Sequence, residues 1–404
     1  MAQQGLLLLL LSLFLLPGLP SLRGGELKVR LDDLVILLWG LSLWLKQSAK
    51  GSLILDTVDL FFPFFGASTL FSTLYGWALS GIVETRDLLE LVKLGKYWCA
   101  YHIAASLCPP VEVFRKAAFW ASIVMFAFSF TQVFNFFSVN SWLSPVYISA
   151  SQVLNLDPSR EWYQRRATAT LGNPNDLATM MIVVFWLLET AASERRSKAV
   201  WIGSTLVLAT LSLTQSRTGL IAFFVGYAAY LLLGPSSVKR RVTGAFVLIS
   251  LAILVFSGFL PYLAALGKGG LETHSFQLRM QVWTLIMDQV IQSPLVGIGP
   301  AKASLSIYVD NEYLLYLYRY GILGLVILLT FYFSIGYWAY RNQHTPYRAV
   351  FWILISLLVV NLTNTTFYNQ QVMPVLMLLL GGLRSHGKDP AHCQRGKHTY
   401  TALA

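Results

Sequence analysis

Long apolar stretches recur along this chain from Leu6 to Leu383, each closed by charge, proline or a polar cluster. About 20 such residues cross a bilayer as a helix. In hydrocarbon every backbone N–H and C=O must find an internal partner, which leaves only helices or a closed barrel. The alternation of apolar and polar residues that a barrel needs is absent. With 55% hydrophobic and 12% charged residues and a mean hydropathy of +0.58, the chain reads as an all-α polytopic membrane protein.

Helices are expected at 5–19, 34–45, 53–79, 87–107, 117–137, 176–192, 199–213, 219–233, 244–266, 312–340, 349–362 and 372–383, about twelve spans. The region 53–107 also admits an interfacial helix, because Glu90, Lys93 and Lys96 fall inside it and Pro63 can kink the preceding helix. The leucine run at the N-terminus lacks a basic leading segment and a small-residue cleavage site, so it reads as the first membrane helix. One membrane domain, 1–384, with a cytoplasmic tail, 385–404, accounts for the whole chain.

The net charge of +11 does not point to nucleic acid, because the cations sit in short interhelical loops and form no patch with stacking aromatics. It points to topology. Lys46, Lys50, Arg115, Lys116, Arg195, Arg196, Lys198, Lys239, Arg240, Arg241, Arg341, Arg348 and the cations from Arg384 to Lys397 fall in alternate loops, which places those loops and both termini in the cytoplasm. The remaining loops, notably 138–175 and 267–311, are then external, and these two form the cap of the expected active site. They are nevertheless rich in arginine: Arg160, Arg165, Arg166, Arg217 and Arg279 all lie on that side. Arginine's planar fork suits phosphate or carboxylate, and it desolvates more readily than an ammonium. Pairing with external acids or lipid headgroups is the plainer reading.

Four external stretches stand out. Thr214-Gln215-Ser216-Arg217-Thr218-Gly219 joins two apolar segments so briefly that they must be antiparallel neighbours. Residues 275–286 carry Phe276, Met280, Trp283 and Ile286 or Met287 at helical spacing, an amphipathic helix on the membrane surface with Arg279 on it. Pro294-Leu295-Val296-Gly297-Ile298-Gly299 then enforces a turn. Asp310-Asn311-Glu312 opens a helix, with Asp310 or Asn311 as its cap and Glu312 complementing the dipole. Asp310 and Glu312 are also candidate bases or counter-ions. Arg319, two turns further in, is an intramembrane charge for which an ion pair with an external acid suffices. Arg165-Arg166 leads through Gly172-Asn173-Pro174-Asn175-Asp176 into the next helix. The three cysteines, Cys99, Cys108 and Cys393, have no metal or redox spacing and read as structural.

Taken in order, these pieces resemble the O-antigen ligase and O-antigen polymerase superfamily of bacterial envelope enzymes. The matching residues are Arg30-Leu31-Asp32-Asp33, Gly172-Asn173-Pro174-Asn175-Asp176-Leu177-Ala178, the knot at Arg217, Arg279 with Trp283 and the Gly297/Gly299 turn, and Asp310-Asn311-Glu312-Tyr313-Leu314 leading to Gly321-Ile322-Leu323-Gly324. The resemblance implies a metal-independent, cofactor-free glycosyltransferase of the bacterial inner membrane. Its donor is an undecaprenyl-diphosphate-linked glycan, and its partners are membrane lipid and a chain-length regulator.

By the same resemblance Arg217 and Arg279 are the essential arginines, and Arg165, Arg166, Asn173, Asn175, Gln215, Asn311, Arg319 and His274 are candidate substrate contacts. Asp310 stands where ligases carry a histidine base and polymerases often carry aspartate, so a repeat-unit polymerase is expected. A carboxylate is a weak base toward an alcohol, and His274 is the other imidazole in reach along the loop. A ligase, a protein O-oligosaccharyltransferase and a lipid-glycan flippase are the competing readings. A flippase would show internal repeats and a midplane row of polar groups, and the chain shows neither.

Overall fold

The computed structural model describes residues 2–15, 31–49, 56–141, 165–190, 197–234, 244, 274–301, 309–345 and 347–388. Among these there are twelve α-helices and no strand: α1 Ala2–Leu15, α2 Leu31–Ala49, α3 Thr57–Ser80, α4 Leu89–Leu107, α5 Val111–Phe134, α6 Pro174–Thr190, α7 Lys198–Thr214, α8 Arg217–Leu233, α9 His274–Val290, α10 Glu312–Arg341, α11 Ala349–Val360 and α12 Val372–Lys388. Eleven fall on expected spans, and α9 is the expected amphipathic helix. The span expected at 244–266 lies outside the described residues except for Gly244, as do 142–164, 267–273, 302–308 and 389–404. By length and composition α3, α5 and α10 can each cross a membrane, and α1, α7, α8, α11 and α12 are shorter apolar helices. The chain is a membrane-embedded helical protein.

Local chemistry sets the helix ends. Asp56 and Asp59 form a reciprocal capping box at the start of α3, and Gly81 closes it in the left-handed region. Pro63 sits inside α3 without ending it. Gln215 ends α7 in the left-handed region, and Ser216 caps α8 by accepting from the Gly219 N–H. Asn311, rather than Asp310, caps α10 through the Leu314 N–H at 2.9 Å.

Packing follows polarity. Every side chain of α6 from Leu177 to Glu189 is buried, as an all-round apolar helix requires, and α6 is enclosed by α5, α7, α8 and α11. Helix α4 lies between α12, α2 and α3. It is not interfacial: Lys96 is buried and ion-paired to Asp33, and Glu90 is buried beside Lys93 at 3.1 Å. Helix α1 packs on α5 and α12 through Leu6, Leu10 and Leu13.

Helix α9 carries apolar residues on two sides. Ile286 and Val290, with Val282, pack into a small second core with Val309, Leu315 and Tyr318 of the α10 entry. Met280 and Met287 instead point away from the protein.

Two knots tie opposite ends of the bundle. In one, Arg384 of α12 meets Asp56 at 3.0 Å and Asp59 at 3.5 Å, and Asp59 also meets His102 at 2.8 Å. Arg384 is thus an internal partner and not a solvated member of the basic tail, and α12 runs past the expected end at 383.

In the other knot the segment 361–371 between α11 and α12 is a hub. Buried Glu312 accepts from the N–H groups of Thr366 at 2.8 Å and Phe367 at 3.0 Å, and from the Tyr332 hydroxyl at 3.3 Å. Asn364 donates to Asp176 at 3.2 Å, Thr363 bonds Thr218, and Lys96 donates to the Gln370 carbonyl at 2.9 Å. The starts of α6, α8 and α10 therefore meet at one end. Glu312 is the hub's anchor, which removes it from the candidate bases.

The Pro294–Gly299 turn does more than reverse the chain. Helix α10 breaks at Gly321, at φ +64°. There the N–H groups of Ile322 and Leu323 leave their helical acceptors and donate to the carbonyls of Pro294 at 2.8 Å and Leu295 at 3.2 Å. The carbonyls so released, Tyr318 and Arg319, accept from Ile298 at 3.2 Å and Gly299 at 2.7 Å. This strap is thus spliced into the helix, and every group freed by the break is repaid, as hydrocarbon demands. Gly297 and Gly299 both have positive φ, and a Cβ on Gly297 would meet the Arg319 backbone at 2.4 Å. Ser72 of α3 donates to the Val296 carbonyl at 2.6 Å from the other side.

A Cβ at Gly321 would lie 2.3 Å from the Leu295 carbonyl group at a positive φ. Gly321→Ala should lower the detergent unfolding midpoint by an amount equivalent to about 2 kcal/mol or more. Gly66→Ala, with nothing within 4 Å of its new Cβ, should leave it unchanged.

Candidate active site

Three loops converge beside the hub. Segment 165–173 is laid against the α7–α8 turn by the Ala167 N–H, which donates to the Leu213 carbonyl at 2.9 Å. Gln132, near the C-terminal end of α5, grips it from the other side. Its Oε1 accepts from the N–H of Thr168 at 3.1 Å and of Ala169 at 2.7 Å, and its Nε2 donates to the Ala169 carbonyl at 2.9 Å. Asn173 accepts from the Asn175 N–H at 2.8 Å, an Asx turn that starts α6.

Asn175 is the joint of this frame. Its Oδ1 accepts from Arg166 Nη2 at 3.2 Å and from the Ser216 hydroxyl at 2.9 Å, while Arg166 Nε donates to the Thr214 carbonyl at 3.1 Å. Arg166 is therefore fixed through two edges of its guanidinium. Gln215 donates to the Arg165 carbonyl at 3.2 Å, and Arg165 turns away to the Val133 carbonyl at 3.1 Å. Of the two adjacent arginines, Arg166 joins the site and Arg165 supports the loop.

Arg217 is the first residue of α8 and is exposed. A cation there opposes the positive end of the helix dipole, a penalty of about 0.3–1 kcal/mol. Helix stability does not explain it, but an anion would be attracted by both the arginine and the helix N-terminus. Arg279 on α9 is ion-paired with Asp310 at the entry to α10. Burial, together with the positive charges of Arg217 and Arg279, pushes Arg166 below the usual arginine range. Two guanidiniums from separate segments, Arg217 and Arg279, thus lie within electrostatic reach of Arg166. Asp310 is the carboxylate paired within this group, so the four side chains keep an excess of positive charge.

The other expected residues are placed as follows. Asn311 spends its Oδ1 on the α10 cap. Arg319 belongs to a different cluster: it lies over the Tyr368 ring at 5.0 Å and 4.0 Å from Glu90. Glu90 and Tyr368 of that cluster line a narrow cavity with Thr69, Lys93, Tyr316 and Tyr320. His274 begins α9, but its side chain lies outside the described residues. Among the described residues no three His, Cys, Asp or Glu are grouped to hold a metal ion. Gln132 and the hub residues Asn364 and Thr366 escaped the sequence reading. A lone glutamine in an apolar stretch was the available signal for the first.

Residues 200–329 match the family model described as O-antigen ligase. That stretch contains Arg217, Arg279, the strap, Asp310 and the α10 break, and the match supports the O-antigen ligase and polymerase superfamily for this chain. No curated protein matches the chain.

Asn175→Ala removes the acceptor shared by Arg166 and Ser216. Titration of the purified protein with inorganic pyrophosphate should show affinity reduced about fivefold to tenfold, as expected for losing charge-assisted positioning, with the Arg217→Ala protein weaker still.

Proposed function

With residues 200–329 matching the O-antigen ligase family, we propose that this glycosyltransferase polymerises lipid-linked oligosaccharide repeat units on the external face of the bacterial inner membrane. The observation that carries this reading is that Arg217 and Arg279 both lie within electrostatic reach of the half-buried Arg166, with Asp310 paired to Arg279. A polyprenyl-diphosphate glycan presents a dianionic diphosphate diester, and bidentate guanidiniums suit it in both charge and shape. The basic-loop pattern supports the sidedness, because the arginine cluster lies at the helix ends opposite to Lys46 and Arg384.

The chemistry is a displacement at the anomeric carbon of the donor. An acceptor hydroxyl oxygen forms the new glycosidic bond as the bond from C1 to the phosphate oxygen breaks, and the electron pair leaves with the polyprenyl diphosphate. The arginines hold the diphosphate and stabilise the charge that grows on its leaving oxygen. Asp310 takes the proton of the acceptor hydroxyl. Its carboxylate is engaged by Arg279, so the diphosphate has to take its place on Arg279 before Asp310 can face the acceptor. Donor binding and base release are then one event.

Transfer to a lipid A core acceptor is the second reading, favoured because the matching family is that of O-antigen ligase. Asp310 in the place of a histidine argues for polymerisation, where donor and acceptor are both lipid-linked glycans.

Purified protein given a lipid-linked repeat unit should produce a ladder of lengthening products on a gel. One-step transfer to lipid A core would instead establish a ligase, and no transfer to either acceptor would defeat the enzyme reading. Arg217→Lys and Arg279→Lys should each cut turnover by about 100-fold or more with expression intact. An Asp310→Asn protein that keeps its full rate removes Asp310 as the base.

A further inference from the structure

The strap that closes the break in α10 is also the fixed end of the helix that carries Arg279. From Val290 the chain passes through a closed set of turns: the Ser293 N–H donates to Val290 at 3.1 Å, the Gly297 N–H to Ser293 at 3.0 Å, and the Ser293 hydroxyl to Gly297 at 2.9 Å. Helix and strap are therefore one rigid piece. Arg279 lies about 16 Å from Val290 along the axis, at 1.5 Å per residue. Between those points α9 touches the protein through Val282, Ile286 and Val290. A tilt of roughly 5° at the strap would carry Arg279 about 1.4 Å, and a misplacement of about 1 Å in a reacting assembly can cost up to 100-fold.

We propose that Ser72, on α3, is a positioning residue for Arg279, acting through the strap. It is buried, and its hydroxyl proton is shared between the Val296 carbonyl at 2.6 Å and the Ser68 carbonyl at 2.7 Å. Of the strap's carbonyls, those of Pro294 and Leu295 are taken by α10, and that of Val296 is taken by α3 through Ser72. Ser72 is thus the side-chain bond that clamps the strap against the wall opposite α10. Nearby backbone contact is already close: a Cβ at Gly76 would meet the Ile298 carbonyl oxygen at 2.1 Å, and one at Gly299 would meet Thr73 Cα at 2.8 Å. The clamp therefore holds a tight seat, and its loss lets the strap slide along α3. Arg166 and Arg217 are fixed by a separate frame of bonds through Asn175, Thr214 and Ser216, so the disturbance reaches only the Arg279 side of the cluster. This inference rests on the diphosphate reading for its effect on affinity, but not for its effect on α9.

The test uses the full-length protein in detergent and two readouts. Hydrogen exchange of Ser72→Ala should be faster than wild type in peptides from α9 and unchanged in α7 and α8. Titration with farnesyl diphosphate should show about tenfold weaker binding for Ser72→Ala, with affinity restored to within about threefold by Ser72→Thr, which keeps the hydroxyl. In an Arg279→Ala background, Ser72→Ala should weaken binding no further, because the lever then has nothing to carry. Equal losses in both backgrounds, or wild-type exchange in α9, would overturn the proposal. Failure of the wild-type protein to bind farnesyl diphosphate would defeat the diphosphate reading, and the exchange data would still decide the role of Ser72.

Discussion

In hydrocarbon a backbone group without a partner is too costly to keep, and the structure around the candidate site is arranged to meet that cost. Helix α10 is interrupted one-third of the way along, at Gly321. The interruption persists because the strap returns hydrogen bonds to each group it frees, two as acceptor and two as donor. The exchange is strict about sequence. It needs positive φ at Gly297, Gly299 and Gly321 and a carbonyl, not a side chain, at each contact. What results is a short N-terminal half of α10 whose direction is set by a neighbouring loop, and it carries Glu312 and Arg319.

Electrostatics supplies the opposing term. Arg166, Arg217 and Arg279 repel one another, and the repulsion is sustained by frames that have nothing to do with charge: the Asn175 joint, the Gln132 grip and the strap. An assembly of this kind holds its donors in place before an anion arrives, so little reorganisation is left for the binding step. The Arg279–Asp310 pair offsets part of that repulsion.

Much of this was legible in the residues. Helix positions followed from apolar length and from terminal residues such as Asn173 and Asn311, whose capping is local chemistry. Arg217 and Arg279 stood out because arginine is expensive beside a membrane. The parts that stayed hidden depend on contacts between distant segments. Glu90, Lys93 and Lys96 looked interfacial because their partners Asp33, Tyr368 and Gln370 lie far away in the sequence. Glu312 looked like a dipole partner or a base because nothing local reveals that Thr366 and Phe367 point their amides at it. The Gly297/Gly299 turn looked like a chain reversal for the same reason: its acceptors and donors belong to α10.

The hub at 361–371 has a consequence for assembly during synthesis. Arg166 and Arg217 are set in place by segments that precede residue 220, and Arg279 by the strap and α10. The anchor of α10's entry, however, is the pair of amides at Thr366 and Phe367, which leave the ribosome about 150 residues after Arg217. Until that segment is inserted, Glu312 lacks its two amide partners and the entry to α10 lacks that anchor. The arginines are synthesised long before the entry to α10 is anchored, so the site is completed only when the loop ahead of α12 is seated.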